Sequence, residues 1–262
     1  MITMFKKGVL LILFLLLTTN VFAIRLVEPI SKELLENDFV GAIVPGQTLE
    51  LIISKELGRF NSLELTSGLT ENFDVSVKDY LESVKIIISS NKNTPKTNYF
   101  FSFILKGVSS SESIRVFFSV EESLLDVALL NYSSETFVNN SAEYEFLLIN
   151  NSDADAIFKI KLDLPWYWLG DEYFGKEYYK EVIVPKQQKK IEKIIVYPRV
   201  HGEHYFNSKI SMQDNIKEFT LYSKVLSTFN SKFNSSLMGF PFYSISLLPS
   251  YFLTSIVSLV FN

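Results

Sequence analysis

The stretch Thr48-Leu49-Glu50-Leu51-Ile52-Ile53 places a large aliphatic side chain at every second position. Because successive side chains of a β-strand point to opposite faces, this alternation predicts a strand with one buried face. The same alternation returns in two later sets of residues: Tyr99, Phe101, Phe103 and Leu105, then Ile114, Val116, Phe118 and Val120. Helical periodicity is scarce: only residues 31–36 and 79–84 could form a turn or two of helix, and neither sustains a 3.6-residue period. The chain is therefore predicted to be all-β.

An internal repeat organises these strands. The turn sequence Val44-Pro45-Gly46-Gln47 precedes the strand at Leu49, and Val138-Asn139-Asn140-Ser141 precedes another strand with one buried face. A second pair of similar segments is formed by Asn98-Tyr99-Phe100 and His204-Tyr205-Phe206. Both intervals are roughly one hundred positions, which is the size of one β-sandwich. The repeat therefore predicts two tandem β-sandwiches.

The boundary between the two predicted domains is placed at Glu121-Glu122-Ser123. This is the most polar short stretch between the alternating run that ends at Val120 and a new strand at residues 124–130. The first domain is predicted at residues 24–122 and the second at residues 123–228.

The N-terminal end has the features of a secretory signal peptide at residues 1–23. Lys6 and Lys7 form a basic region, residues 8–17 are almost purely aliphatic, and Val21-Phe22-Ala23 offers a cleavage signature. Cleavage would leave a mature chain that begins at Ile24. The alternative is an uncleaved anchor helix, but the apolar run is short for a membrane span. Export is therefore the prediction.

The C-terminal end, residues 229–262, is predicted to be a linker and a membrane segment. No charged residue follows Lys232, and the apolar stretch is long enough to cross a bilayer. Pro241 and Pro249 would each remove a helix hydrogen bond, and no Lys or Arg follows the segment. A kinked transmembrane helix starting near Pro241 is predicted, with an interfacial or partner-buried tail as the alternative.

Composition excludes several classes of protein. The formal net charge is −4 at pH 7 and becomes more negative without the leader, so nucleic acid is not predicted as a partner. The lysine-rich residues 186–193 are interrupted by Gln187, Gln188 and Glu192, which favours a solvated strand edge. The chain has no cysteine, which excludes disulfides, thiolate nucleophiles and cysteine-ligated metals. Each predicted domain must therefore be stabilised by its apolar core.

The second predicted domain contains five characteristic segments, in chain order Ser141-Ala142-Glu143-Tyr144-Glu145-Phe146-Leu147-Leu148-Ile149-Asn150-Asn151, Leu162-Asp163-Leu164-Pro165-Trp166, Val184-Pro185, Ile194-Ile195-Val196-Tyr197-Pro198 and Gly202-Glu203-His204-Tyr205. With these segments it resembles the immunoglobulin-like modules of archaeal and bacterial surface proteins of the NEW3 or CARDB type. One departure is Lys186, where the family favours glycine. The resemblance implies a surface-exposed spacer or binding module with no active site to carry over.

Two groups of polar residues are candidates for metal sites. His201 and His204 are the only histidines, and their spacing differs from the helical zinc motif, which favours a turn entering a strand. Asn151, Asp153 and Asp155 offer oxygen atoms at alternate positions, but the surrounding residues do not fit an EF-hand. A calcium site of another type is the alternative to a polar hairpin turn there. The prediction is a chain without metal or cofactor.

The aromatic and acidic clusters also favour a non-enzymatic protein. Trp166-Tyr167-Trp168 is predicted to place its tryptophans in the core, with a sugar-binding platform as the alternative. The acidic pair Asp171-Glu172 lies beside a glycine and is typical of a solvated loop. No nucleophile elbow, phosphate loop or dinucleotide fingerprint is found, and the whole chain has only ten glycines. No catalytic residue is predicted.

Four Asn-x-Ser sequons are predicted as possible glycosylation sites: Asn131, Asn139, Asn150 and Asn234. The first three cluster in the first part of the second predicted domain, which suggests a glycan-covered face.

Together these features predict an exported, membrane-anchored envelope protein that presents two sandwiches for binding or spacing. Its partners would be the membrane, through the tail, and a protein or glycan at the sheet edges and loops. One alternative is an accessory subunit of a membrane complex, with the tail packed on partner helices. A secreted carbohydrate-binding protein is the less favoured reading.

Overall fold

The computed structural model describes residues 24–55, 60–67, 72–107, 111–165, 168, 178–213 and 215–227. Seventeen β-strands and no helix occur among these residues, so the all-β prediction is confirmed for them. Within this part of the chain, accordingly, no helix long and apolar enough to cross a bilayer is found. The predicted leader, residues 1–23, and the predicted membrane segment, residues 229–262, lie outside the described residues.

The described residues form two compact units. The first contains residues 48–120 and those before residue 43, and the second contains residues 43–47 and those after residue 120. The turn at residues 43–47 thus clusters with the second unit, and Val44 is part of that unit's core. The two units are therefore not two uninterrupted halves of the chain.

The first unit has nine strands in two sheets. The strands are β1 (Ile24–Glu28), β2 (Lys32–Leu34), β3 (Asp38–Ile43), β4 (Thr48–Ser54), β5 (Ser62–Ser67), β6 (Phe73–Asp79), β7 (Ser83–Ser90), β8 (Asn98–Lys106) and β9 (Ser111–Val120). One sheet has the order β2-β1-β4-β7-β6 and the other has the order β3-β9-β8-β5. The ring of Phe73 in one sheet contacts that of Phe118 in the other, with centroids 5.4 Å apart. The two sheets therefore pack as a sandwich.

The residues with alternating hydrophobicity fill this core as predicted. Leu49, Leu51 and Ile53 of β4 are buried, and so are Phe101 and Phe103 of β8. Their neighbours at intervening positions are more exposed, because a strand directs alternate side chains to opposite faces.

Neither of the two segments that could have formed a helical turn is helical. Within residues 31–36, three residues form strand β2, whose Leu34 pairs with Ile24 of β1. Residues 79–84 contain the end of β6, the hairpin turn and the start of β7, and the Tyr80 N–H donates to the Ser83 carbonyl at 2.9 Å. Pairing of the flanking alternating strands buries their apolar faces, and this outweighs a weak local helical preference.

The second unit has eight strands, also in two sheets. They are β10 (Leu125–Asn131), β11 (Ser133–Phe137), β12 (Ala142–Asn150), β13 (Ala156–Leu162), β14 (Tyr178–Val184), β15 (Gln188–Val196), β16 (Gly202–Met212) and β17 (Asn215–Leu226). The sheet orders are β10-β12-β15 and β11-β17-β16-β13-β14, and β11 runs parallel to β17. Ring contacts join the sheets at Tyr144 with Phe206 (5.4 Å) and at Phe146 with Phe219 (5.8 Å).

Burial strongly affects the one tyrosine hydroxyl in this core. Tyr144 is fully buried, and its hydroxyl donates to the Tyr222 carbonyl at 3.3 Å. Desolvation raises the pKa of Tyr144 to about 12, against a smaller opposing effect of the Ser223 hydroxyl. Tyr144 is therefore a neutral core residue at physiological pH.

The turn after Val44 and the turn after Val184 differ in the position of the residue with a left-handed backbone conformation. In the first turn Gly46 has a φ of 85°, and the Gln47 N–H donates to the Val44 carbonyl at 3.0 Å. After Pro185 the residue with positive φ is Gln187, at 56°. Lys186 stands where the resembling family favours glycine, but it needs no left-handed backbone because the next residue supplies it. The departure is thus accommodated by a one-residue shift of the turn.

An ion pair between the two sheets of the second unit makes its stability depend on pH. The Lys217 ammonium donates to the Asp126 carboxylate and holds the pKa of that carboxyl below its usual value. A carboxyl whose pKa is lower in the folded than in the unfolded protein stabilises the fold at pH values above its unfolded-state pKa. This stabilisation is lost as the pH falls through the folded-state pKa. We expect Lys217→Met to destabilise the unit at pH 6 and to lose this effect progressively as the pH falls below about 4, the ordinary range of an Asp carboxyl, and through the lowered folded-state pKa.

The measurement is the free energy of unfolding against pH for both proteins. Lys209→Met is the matched control, since Lys209 pairs with Glu218 at 3.3 Å on the outer face of the same sheet. A Lys217→Met effect that stays constant between pH 6 and pH 3 would show that Asp126 is not the titrating group.

Candidate functional site

Three phenylalanine rings lie in a row across the outer face of the β3-β9-β8-β5 sheet. Phe117 of β9 lies between the other two, with its ring centroid 5.3 Å from that of Phe39 and 5.4 Å from that of Phe100. Phe100 and Phe117 are directly paired between β8 and β9. Phe39 is 37% exposed and Phe100 is 40% exposed. We call these three residues the phenylalanine row.

Arg115 lies next to this row. Its guanidinium carbon is 4.6 Å from the centre of the Phe100 ring, a cation–π contact worth about 0.5–1 kcal/mol at an exposed site. Arg115 is itself exposed, and no carboxylate of the described residues forms an ion pair with it. As far as the described residues go, the face therefore presents three aromatic rings and one uncompensated positive charge.

The surroundings of the row are polar and charge-balanced. Lys32 donates to the Phe39 carbonyl at 2.7 Å and lies 3.2 Å from the Asp38 carboxylate. At the far side of the sheet, Lys106 pairs with Glu64 at 2.5 Å. The phenylalanine row is thus a bounded apolar patch with a polar rim, which is the composition of a protein-binding surface.

Sequence reasoning identified the buried neighbours of the row and missed the row itself. Phe101 and Phe118 alternate correctly into the core, so the adjacent Phe100 and Phe117 must point outward. The alternation of the strands was therefore enough to predict that Phe100 and Phe117 lie on the outer face. The position of Phe39 next to them could not be predicted from the sequence, because it depends on β3 lying beside β9.

The predicted oxygen-rich loop after β12 is hydrogen-bonded to the turn at residues 186–187 of the second unit. The Asp155 carboxylate accepts from the Lys186 N–H at 3.1 Å, and that of Asp153 accepts from the Gln187 amide at 3.2 Å. The Gln187 amide also donates to the Asn151 carbonyl at 2.8 Å. Among the described residues no group of three acidic, histidine or cysteine side chains is arranged to hold a metal ion. The geometry favours the polar-turn interpretation of this loop.

The sequon asparagines have different environments. The amide nitrogen of Asn150 is buried and donates to the carbonyls of Ala154 (2.9 Å), Val184 (3.0 Å) and Pro185 (3.0 Å). A glycan on that nitrogen is incompatible with these hydrogen bonds. Asn139 is exposed in a turn with a φ of 68°, Asn131 donates to the Glu143 carbonyl at 3.2 Å, and Asn234 lies outside the described residues. Glycosylation at these three remains a prediction.

The histidine and tryptophan motifs meet at one end of the second core. Trp168 is only 2% exposed and contacts the His204 ring at 5.0 Å between centroids. A ring nitrogen of His204 lies 3.0 Å from the Val200 carbonyl oxygen, while His201 is exposed. Trp168 follows β13 and is a core residue, as predicted. Trp166, Tyr167, Asp171 and Glu172 lie outside the described residues.

The strand order defines the class of fold in both units. In the first, the sheets β1-β4-β7-β6 and β9-β8-β5 reproduce the ABED and GFC sheets of an immunoglobulin-like sandwich. In the second, β10-β12-β15 corresponds to ABE, and β17-β16-β13-β14 carries an added C′ strand on the GFC sheet. The described chain is therefore built of immunoglobulin-like β-sandwich folds.

Neither a family model nor a curated protein matches the chain. Among solved structures, it is similar to a chimeric titin Z1Z2 functionalized with a KLER exogenous peptide from decorin, with 9% identity and a TM-score of 0.43 over 79% of this chain and 97% of that one. The Yersinia pseudotuberculosis adhesin InvE matches at 6% identity and a TM-score of 0.31, over 70% and 58%. An endo-fucoidan hydrolase of glycoside hydrolase family 107, MfFcnA4_H294Q, matches at 11% identity and a TM-score of 0.36, over 74% of this chain. The match spans only 28% of the length of that hydrolase.

Proposed function

We propose that the chain is an exported, non-enzymatic envelope protein that presents immunoglobulin-like sandwiches for binding a partner. The observation that carries this proposal is the phenylalanine row with Arg115 beside it. Aromatic side chains and arginine are the residues most enriched at binding surfaces, and exposing them to water has a free-energy cost without a partner.

The proposed location follows from the two ends of the sequence. Lys6, Lys7 and the aliphatic run after them support export, and the uncharged residues after Lys232 support a membrane anchor. In this arrangement the sandwiches lie on the extracytoplasmic side, and the tail binds the membrane. The resemblance of the second half to NEW3 or CARDB modules of surface proteins is consistent with that side.

The phenylalanine row favours a protein partner over a glycan. The three rings are mutually tilted, at 55° and 40°, rather than forming a flat platform. Recognition would then use the outer face of the sheet, in addition to the edges and loops that the sequence suggested. The accessory-subunit alternative uses the same face, with the tail packed on partner helices rather than in lipid.

Export is tested on intact cells by external protease, together with the mass of the mature chain. We expect digestion of the sandwiches and a mature mass that begins at Ile24. Protection from protease, or a mass that includes residues 1–23, would contradict the proposed location.

A further inference from the structure

We infer that the partner segment covering the phenylalanine row is an acidic, extended polypeptide whose carboxylate pairs with Arg115. This inference rests on the proposed binding function of the same face. It concerns the chemistry of the partner, which the sequence analysis did not predict.

Charge complementarity is the first argument. Lys32, which lies beside the row, is neutralised within the unit by Asp38 at 3.2 Å. Arg115 has no ion pair to a described carboxylate. A partner that covers this face would therefore leave Arg115 desolvated and unpaired unless it supplies a carboxylate.

The position of the guanidinium supports the same conclusion. Its carbon atom lies over the Phe100 ring, 4.6 Å from the ring centre, and no acceptor of the described residues binds its N–H donors. A guanidinium with available donors matches a carboxylate in a bidentate arrangement. Stacking on Phe100 also restricts the side chain, which lowers the entropy lost on binding.

Spacing along the strand specifies the partner further. Arg115 and Phe117 are two residues apart on β9 and share its outer face. Alternate residues of a strand are roughly 7 Å apart, because the rise is about 3.3 Å per residue. An extended partner segment lying along β9 matches this distance when it carries a large apolar residue at one position and Asp or Glu two positions away.

Other anionic surfaces fit the face less well. Anionic lipid is bound by clusters of four or more basic residues, and this face has one uncompensated cation. The same limit applies to highly charged acidic glycans. A single carboxylate beside apolar side chains is a feature of a polypeptide.

The test uses fluorescein-labelled peptides and the purified full chain in detergent, with fluorescence anisotropy as the readout. The acidic probe is Phe-Ser-Asp-Ser-Phe-Ser-Asp with blocked ends, and a second probe carries Lys in place of both Asp residues. We expect the wild-type chain to bind the acidic probe more tightly. Arg115→Gln should weaken that binding by about tenfold or more, and Arg115→Glu should reverse the preference. Arg115 is exposed, so neither change affects the core.

Lys78→Gln is the matched control, because Lys78 is an exposed cation on β6 of the opposite sheet. The inference is overturned if Arg115→Glu binds the acidic probe as tightly as the wild type does. It is also overturned if phosphatidylglycerol vesicles bind in an Arg115-dependent manner and the peptides do not. If Phe117→Ser abolishes peptide binding and Arg115→Glu leaves it unchanged, the phenylalanine row is a binding face, but the inference that the partner supplies a carboxylate to Arg115 is overturned.

Discussion

Replacing Asn150 by alanine is expected to destabilise the second unit by about 3–4 kcal/mol, because several buried polar groups would lose their partner together. The Asn150 amide nitrogen donates to three main-chain carbonyls, of Ala154, Val184 and Pro185. Its side-chain oxygen accepts from the Ser152 N–H at 3.0 Å and from the Ser152 hydroxyl at 2.6 Å. This one side chain therefore joins the loop after β12 to the end of β14.

Denaturant unfolding followed by tryptophan fluorescence measures this effect, because Trp168 lies in the core of the second unit and the sequence has no tryptophan before residue 121. Asn151→Ala is the matched control, since Asn151 is the exposed neighbour. We expect that control to change the free energy of unfolding by no more than about 0.5 kcal/mol. Similar losses in the two variants would show that Asn150 does not hold the loop.

Lys180→Met is expected to destabilise the second unit by about 1–3 kcal/mol, because it leaves the Glu192 carboxylate buried with weaker compensation. Glu192 lies on β15 at the edge of one sheet and is only 8% exposed. Lys180 lies on β14 at the edge of the other sheet, 2.5 Å from the Glu192 carboxylate, and Lys190 is 3.8 Å from it. The hydrogen bond to Glu192 raises the pKa of Lys180.

The same pair protects two strand edges. Charged residues that point inward on edge strands discourage the addition of further strands from other chains. In Lys180→Met/Glu192→Leu the buried charge is removed with its partner, so stability should return to that of the wild type or above it. We expect this double variant to self-associate, as measured by sedimentation at increasing concentration.

Lys193→Met is the control for the single variant. Lys193 pairs with Glu145 at 2.8 Å, but both side chains lie on the outer face, so this pair is worth about 0–1 kcal/mol. If Lys180→Met is no more destabilising than Lys193→Met, the Glu192 carboxylate is not compensated by Lys180.

Alternating hydrophobicity was sufficient to predict strands β4, β8 and β9 and their buried faces. Leu49, Leu51 and Ile53 are buried as expected, because the period of a strand is fixed by its backbone geometry. Local sequence was less informative where the pairing of neighbouring strands determined the conformation. Residues 80–82 form a hairpin turn because the β6 and β7 strands on either side pair with each other.

The candidate site could be predicted only in part from the sequence, because it also depends on how the strands pair. Phe100 and Phe117 could be assigned to an outer face from the burial of Phe101 and Phe118, but their contact requires the register between β8 and β9. Asn150 satisfies the sequon pattern equally well whether it is exposed or buried. Its burial follows from the packing of the loop after β12 on the end of β14, which no triplet of residues encodes.

The phenylalanine row as a partner-binding face is tested most directly by photo-crosslinking on intact cells. p-Benzoylphenylalanine is placed at position 39 or 100 in the row, and at position 81 as the control, where Leu81 is 93% exposed at the tip of the β6–β7 hairpin. We expect irradiation to give one adduct of the same mass from positions 39 and 100, and none from position 81. Absence of adducts from the row, or the same adducts from all three positions, would contradict the proposed binding face.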